Sequence, residues 1–270
     1  MREARKQAIP FLTMKEDRPG SEKRKLLQWT QQQAAVSRRK AKELIENGEV
    51  SVNGQTEREP SLLVDPEGLR TLSLRGQPLP IEPPELRIYR YHKIRDTLCS
   101  HDDPHEGNTL GRVLRAEGFI GYTWAGRLDQ DAEGLLVVSN DGQLIHAFTH
   151  PSFEVPKTYR VWLAPPPNRR KMESAFDAMQ RGIEEGGDRL RILEGRLPAR
   201  SAYAQVTLAE GKKHEVKRLF AHFGYRVTRL LRIRVGQIEL GDLPPGSFSR
   251  LSREEEAAAF ASAQILVAGR

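Results

Sequence analysis

The chain has 270 residues, enough for a medium domain with a small appendage, and carries 43 Lys and Arg against 36 Asp and Glu, a formal charge of +7. That balance favours a polyanionic partner, with nucleic acid ahead of an anionic membrane surface. Cys99, the single cysteine, excludes an intrachain disulfide framework and any zinc site needing two or more cysteines. No apolar run approaches the ~20 residues that span a bilayer, and the first residues lack the apolar core of a signal peptide, so a cytoplasmic protein is expected.

In chain order, residues 1–22 mix charges with Pro10, Pro19 and Gly20 and show little apolar periodicity, which predicts a flexible leader. Residues 23–75 form a small unit. Leu26 and Leu27 open a first helix, and Ser37 is placed to cap a second whose Ala41, Leu44 and Ile45 share one face. Arg38, Arg39, Lys40 and Lys42 crowd the first turns of that second helix. Positive charge there opposes the helix macrodipole by about 0.3–1 kcal/mol per exposed group, so something other than helix stability favours the cluster. Gly48 ends the helix, Glu49 to Val52 is strand-like, and Asn53-Gly54 signals a tight type I′ hairpin.

Residues 76–86 contain Pro78, Pro80, Pro83 and Pro84, which predicts an extended linker. Beyond it, residues 87–252 alternate short strands with helices, an α+β domain with a substantial sheet. Strands are predicted over Leu135 to Ser139, Thr158 to Leu163, Ala204 to Leu208 and Val227 to Ile233. Met172, Ala175, Phe176 and Met179 line one helix and Val216, Leu219, Phe220 and Phe223 another, each closed by a glycine, Gly182 or Gly224. Residues 253–270 form a tail in which Glu254 to Glu256 followed by Ala257 to Ala259 predicts a terminal helix. No repeat of solenoid period is present.

The most informative segment runs from Gly126 through Arg127, Leu128 and Asp129 to Asp141-Gly142: a charged turn leading into a buried strand closed by an Asp-Gly turn. A carboxylate at the mouth of such a strand is held by rigid backbone, a placement suited to catalysis, although the spacing alone favours a loop-capping Asp. GRLDQDAEGLLVVSNDG resembles the catalytic motif of pseudouridine synthases of the ribosomal small-subunit pseudouridine synthase A family. Pro156 to Val161 (PKTYRV) is similar to the Lys-Thr-Tyr strand of that family, and Glu210 to Phe220 (EGKKHEVKRLF) to its basic helix, in the same order. Ser37-Arg38-Arg39 through Val52-Asn53-Gly54 resembles the small RNA-binding module first recognised in ribosomal small-subunit protein four.

The resemblance implies a mixed, largely antiparallel synthase domain behind a helix–helix–hairpin RNA-binding domain, with no cofactor and no metal. Asp129 would be the essential aspartate, acting on a flipped uridine as nucleophile or in a glycal-forming route, and Lys217 its counterion, since a buried carboxylate needs a cationic partner to stay charged. Tyr159 would stack on the target base and assist proton transfer. Arg127 would fill the gap left by that base or hold an adjacent phosphate, and Leu219 would line the pocket on its apolar side. RNA contacts are expected from Lys25, Ser37, Arg38, Arg39, Lys40, Lys42 and Asn53 in the first domain and from Lys212, Lys213, Arg229 and Arg232 in the second, giving salt-sensitive recognition of RNA shape. Arg226, Arg229, Arg232 and Arg234 fall on near-alternate positions of one strand, as a basic stripe bordering the site would. Two departures stand out: Ala132 where the family usually carries a hydroxyl, and Glu215 where it usually has Gln.

The expected protein is thus an RNA isomerase acting on a uridine of ribosomal RNA, as a monomer meeting the RNA or the assembling subunit. The alternative is a catalytically silent RNA-binding assembly factor on the same fold. A third possibility, a basic structural protein of the ribosome, fits the charge but not the large second domain. His101 with His105, and His146 with His150, imitate metal ligands, but two His at i and i+4 without a third ligand are weak evidence for zinc.

Overall fold

A computed structural model describes residues 23–34, 36–82 and 85–262. The expected leader, Pro83, Pro84 and the last eight residues of the tail lie outside the described residues. The first unit opens with helices α1 (Leu26–Gln33) and α2 (Arg38–Glu46), and Ser37 caps α2 by accepting a hydrogen bond from Lys40 N at 3.2 Å. Gly48 at φ +74° turns the chain out of α2. Strands β1 (Val50–Val52) and β2 (Gln55–Glu57) then form a hairpin across Asn53 and Gly54, whose φ values of +50° and +81° are those of a type I′ turn. Strands β3 (Leu72–Leu74) and β4 (Gln77–Leu79) complete a four-stranded sheet in the order β2-β1-β3-β4. Leu26, Trp29, Ala41, Leu44, Ile45, Val50 and Leu72 form its core.

Strand β4 corrects one expectation. Residues 77–79 belong to the sheet, not to the linker, because Pro78 sits on an edge strand where its missing N–H costs no ladder bond. The first unit contacts the second through Gln32, whose side-chain amide donates to Asn140 O (3.1 Å), and the linker through Gln33, which donates to Glu82 O (2.7 Å).

The second unit is a nine-stranded sheet. Its principal strands are β5 (Ile88–Lys93), β6 (Glu133–Ser139), β7 (Lys157–Ala164), β8 (Glu194–Arg196), β9 (Ala204–Leu208), β10 (Arg226–Val235) and β11 (Phe248–Arg250), in the order β8-β9-β7-β10-β6-β5-β11. All pair antiparallel except β10 with β6, a short parallel contact in which Leu231 faces Glu133 and Arg232 faces Gly134. Helices cover both faces. On one lie α3 (Leu110–Ala116), α5 (Arg169–Arg181) and α6 (Glu215–His222), packed on Leu136, Val138, Val161, Val206 and Leu230. On the other lie α4 (Gly142–Thr149) and α7 (Arg253–Ser262), packed on Leu135, Val137, Leu231 and Val235. Both residue parities of β6 are therefore buried, which is why its sequence reads as a continuous apolar run.

The predicted strands and helices are present with ends shifted by at most three residues. The Asp141-Gly142 turn is different: Asp141 is the N-cap of α4, its Oδ1 accepting from Gln143 N (2.9 Å) and Leu144 N (3.2 Å).

The parallel contact makes one residue indispensable. Gly134 has φ +111°, and a Cβ there would stand 2.3 Å from Arg232 O and 2.6 Å from Arg232 N. Strain and overpacking together predict that Gly134→Ala loses about 2–4 kcal/mol in urea denaturation; a loss of a few tenths would show that the strands can separate at no cost.

Candidate active site

The short strand Thr123–Trp124 pairs with the far end of β6, so residues 125–132 form a loop that returns the chain into Glu133. Leu128 is buried beneath it, Gly126 N donates to Thr149 Oγ1 (3.0 Å), and Ala132 N donates to Asp129 O (3.1 Å). The support below is Lys93, fully buried at the end of β5. Its ammonium donates to Asp129 O and Gln130 O at 3.1 Å, Ala132 O at 2.7 Å and Ile94 O at 3.1 Å. Burial pushes the Lys93 pKa down, and neighbouring acidic groups, Asp131 and Asp129 among them, pull the other way. A buried carbonyl stripped of its donor costs about 1–3 kcal/mol, so this one cation fixes the turn at several points.

Asp129 meets α6 across the loop. His214 Nδ1 lies 2.9 Å and Lys217 Nζ 3.1 Å from the same oxygen, Asp129 Oδ2, and Lys217 also reaches Asp131 Oδ1 at 2.6 Å. Burial raises the Asp129 pKa, but the hydrogen bonds from His214 and Lys217 outweigh it and hold the carboxyl below its ordinary value. Lys217 is the mirror case: burial lowers it, and its bonds to Asp131 and Asp129 leave it raised. Among the described residues Oδ1 of Asp129 has no hydrogen-bond partner. His214 is the N-cap of α6 and Lys217 sits three residues on, so one turn of helix presents both donors.

Asp129, Arg127, Tyr159, His214 and Lys217 line an open cleft with an empty volume of about 450 Å³, whose apolar wall comes from Leu128, Leu208, Val216 and Leu230. Tyr159, 8% exposed on β7, is a wall of this cleft, and Arg127 is exposed at its rim.

Several expected site residues fall elsewhere. Leu219 is fully buried in the core beneath α6 and does not line the cleft; Val216, one turn earlier, takes that place. Arg232 is 2% exposed, its Nε donating to Leu135 O at 2.8 Å, so it cannot meet a phosphate from the surface. Its parity misled because β10 is covered on both faces. The Asn53 amide is spent internally, donating to Gly68 O and accepting from Arg70 N and Thr71 N. The Ser37 hydroxyl caps α2. Arg229, partly exposed, pairs with Glu133 and lies 4.5 Å over the Trp162 ring.

Lys212 binds Glu210 and Arg189 O, whereas Lys213 is exposed. On α2, Lys40 and Lys42 pair with Glu43 and Glu46, while Lys25, Arg38 and Arg39 are exposed and make no ion pair among the described residues. Glu215 is buried, which raises its pKa, and its Oε2 accepts from Lys212 N at 2.9 Å. His101 packs tilted against Trp124 (4.5 Å) and His146 stacks on His150 (5.1 Å); among the described residues no group of three or more His, Cys, Asp or Glu is arranged to hold a metal ion. His214 and Lys93 carried no assigned role in the sequence. The spacing of His214 to Lys217 was the available signal for the first, and nothing local marks the second.

The Asp129 carboxyl depends on Lys217, so in Lys217→Met its titration, followed by carboxyl ¹³C NMR, moves to higher pH. Because the folded value lies below the unfolded one, the stability Asp129 contributes is present above the ordinary aspartate range and lost as pH falls from that range through the folded value; in the variant the two values draw together, so less stability is there to be lost. An unmoved titration would show that the ion pair does not set the charge.

The RNA pseudouridylate synthase family model matches residues 87–222 and the S4 domain model residues 30–69. Among curated relatives, the chain is 35% identical to the ribosomal small subunit pseudouridine synthase A of Vibrio cholerae over 82% of this chain and 93% of that one. It is 33% identical to the protein of the same name from Escherichia coli K12, over 83% and 94%. A crystal structure of a pseudouridylate synthase superposes with a TM-score of 0.59 at 26% identity, over 87% of this chain and 99% of that one. The chain belongs to the RNA pseudouridylate synthase family and carries an S4 domain ahead of its synthase region.

Proposed function

We propose that this chain converts a uridine of ribosomal RNA to pseudouridine, with Asp129 as the catalytic carboxylate. The carrying observation is the grip of His214 and Lys217 on a single oxygen of Asp129, which keeps the carboxylate charged and leaves Oδ1 for the ribose. An ionised Oδ1 serves either attack on C1′ or removal of the C2′ proton, and both routes release uracil as an anion that can turn and rejoin through C5. Extrusion of the nucleotide costs a few kcal/mol of lost stacking, of which Tyr159 returns about 1–3 kcal/mol by offering an aromatic face. Arg127 at the rim holds the gap in the RNA or its phosphate. No atom is gained or lost in the overall isomerisation.

Residues 23–79 serve as the RNA anchor and 87–252 as the synthase domain. Arg38, Arg39 and Lys25, exposed and without an ion pair among the described residues, meet phosphates; Lys40 and Lys42 add weaker contacts because they are shared with Glu43 and Glu46. The relatives are named for the small subunit, so small-subunit ribosomal RNA is the first substrate to test, in the cytoplasm where subunits assemble. An intact Asp129, Tyr159 and Lys217 set offers no support for a silent assembly factor.

Transcribed ribosomal RNA incubated with the protein should give a new carbodiimide-dependent primer-extension stop. Asp129→Asn should give none while binding RNA nearly as wild type does, since the isosteres differ mainly in charge. No stop with wild type on either subunit's RNA would sink the proposal, and an active Asn variant would remove Asp129 from it. For the anchor, Arg38→Ala with Arg39→Ala should lower the slope of log affinity against log salt by about 1 per arginine and leave the rate at saturating RNA unchanged. An unchanged slope would place the anchor elsewhere.

A further inference from the structure

The isomerisation needs more than a charged Asp129. The N1–C1′ bond breaks with its electron pair on N1, a C5–C1′ bond forms, and C5, now carrying both hydrogen and ribose, must release a proton; N1 ends with one. Some group must accept the C5 proton and supply the N1 proton. Asp129, with one oxygen gripped and the other engaged at the ribose, is poorly placed to do so.

His214 has the required properties. A carboxylate only accepts hydrogen bonds, so the 2.9 Å contact to Asp129 Oδ2 requires the hydrogen to sit on Nδ1. In the neutral ring Nε2 is then bare, an acceptor. His214 lines the same cleft as Asp129 and Tyr159, and its side chain is 47% exposed, so Nε2 is not sealed off from a bound base. Its backbone gives a second sign. His214 has φ +53°, the left-handed region that costs a non-glycine residue about 1–3 kcal/mol, and its side chain makes no hydrogen bond to cap α6. Helix capping does not account for the ring; the contact with Asp129 does.

We propose that His214 is a second catalytic residue, its Nε2 taking the proton from C5 of the rotated uracil and returning it to N1 while Nδ1–H stays bonded to Asp129. The proton is conserved within the site, and no oxidant, reductant or co-reactant enters. Because one ring both steadies the carboxylate and moves the proton, the two roles separate by substitution. Asn in place of His offers an amide N–H where Nδ1–H stood and no base. Glycine suits the backbone and removes both functions.

The inference rests on the pseudouridine reading, and the test keeps the two apart. Single-turnover rates are measured on the ribosomal RNA transcript carrying uridine or 5-deuterouridine, with wild type, His214→Asn, His214→Gly and Tyr159→Phe. Wild type must form pseudouridine; if it does not, the functional reading fails before His214 is examined. With wild type active, His214→Asn should bind RNA as wild type does, slow turnover by about 10²-fold or more, and show a C5 deuterium isotope effect larger than that of wild type. His214→Gly should be at least as slow and unfold no more easily than wild type, since glycine relieves the strained φ. An Asn variant as fast as wild type, or slow with no increase in the isotope effect, would overturn the proposal, as would the increased isotope effect appearing in Tyr159→Phe alone.

Discussion

A carboxylate half-buried against protein tends to take up a proton, and the proposed chemistry fails once it does. The contact of Asp129 Oδ2 with both His214 and Lys217 reverses that tendency. It also fixes which oxygen is free. Two donors on one oxygen orient the carboxylate as well as stabilise it, so in the proposed reaction the ribose would meet a prepared group and little reorganisation would remain for the reaction to drive. Lys93 completes the arrangement from below, since a turn pinned through three of its own carbonyls cannot rotate Asp129 away from α6.

The rest of the second domain is what brings these groups together. Asp129 and His214 lie 85 residues apart in the chain, and only the sheet order closes that distance. Strand β6 receives the Asp129 loop, β10 follows α6, and the two lie side by side in the one parallel contact of the sheet. Gly134 permits that approach because any side chain would meet the Arg232 backbone. Arg232, buried and bonded to Leu135 O, ties the same pair of strands. The first domain has its own core and is tied to the second by the Gln32–Asn140 hydrogen bond, as suits a unit that supplies affinity while the chemistry is proposed to lie elsewhere.

Local signals were legible in the sequence, and contacts between distant segments were not. Ser37, Gly48 and Asn53-Gly54 declare a cap, a helix end and a hairpin because each follows from its neighbours alone. The charged turn before β6, the Lys-Thr-Tyr strand and the basic helix were recognisable by resemblance, and the fold brings Asp129, Tyr159 and Lys217 to one cleft. Parity arguments failed where a sheet is covered twice: Arg232 looked like part of an outward stripe, yet both faces of β10 are packed. Helical periodicity placed Leu219 on the apolar face without saying that the cleft opens one turn earlier, at Val216. His214 and Lys93 draw their importance from partners far along the chain, which no periodicity reports.

The central claim is that the charge on Asp129 is what the reaction uses. It is tested most directly by measuring, on one sample of wild-type protein, the carboxyl ¹³C titration of Asp129 and the pH dependence of the second-order rate at subsaturating RNA, which reports ionisations of the free enzyme. The account predicts that Asp129 titrates below the ordinary aspartate value of about 3.9 and that no rate remains once it is protonated. A carboxyl that titrates above that value, or a rate that persists after Asp129 is protonated, would contradict it.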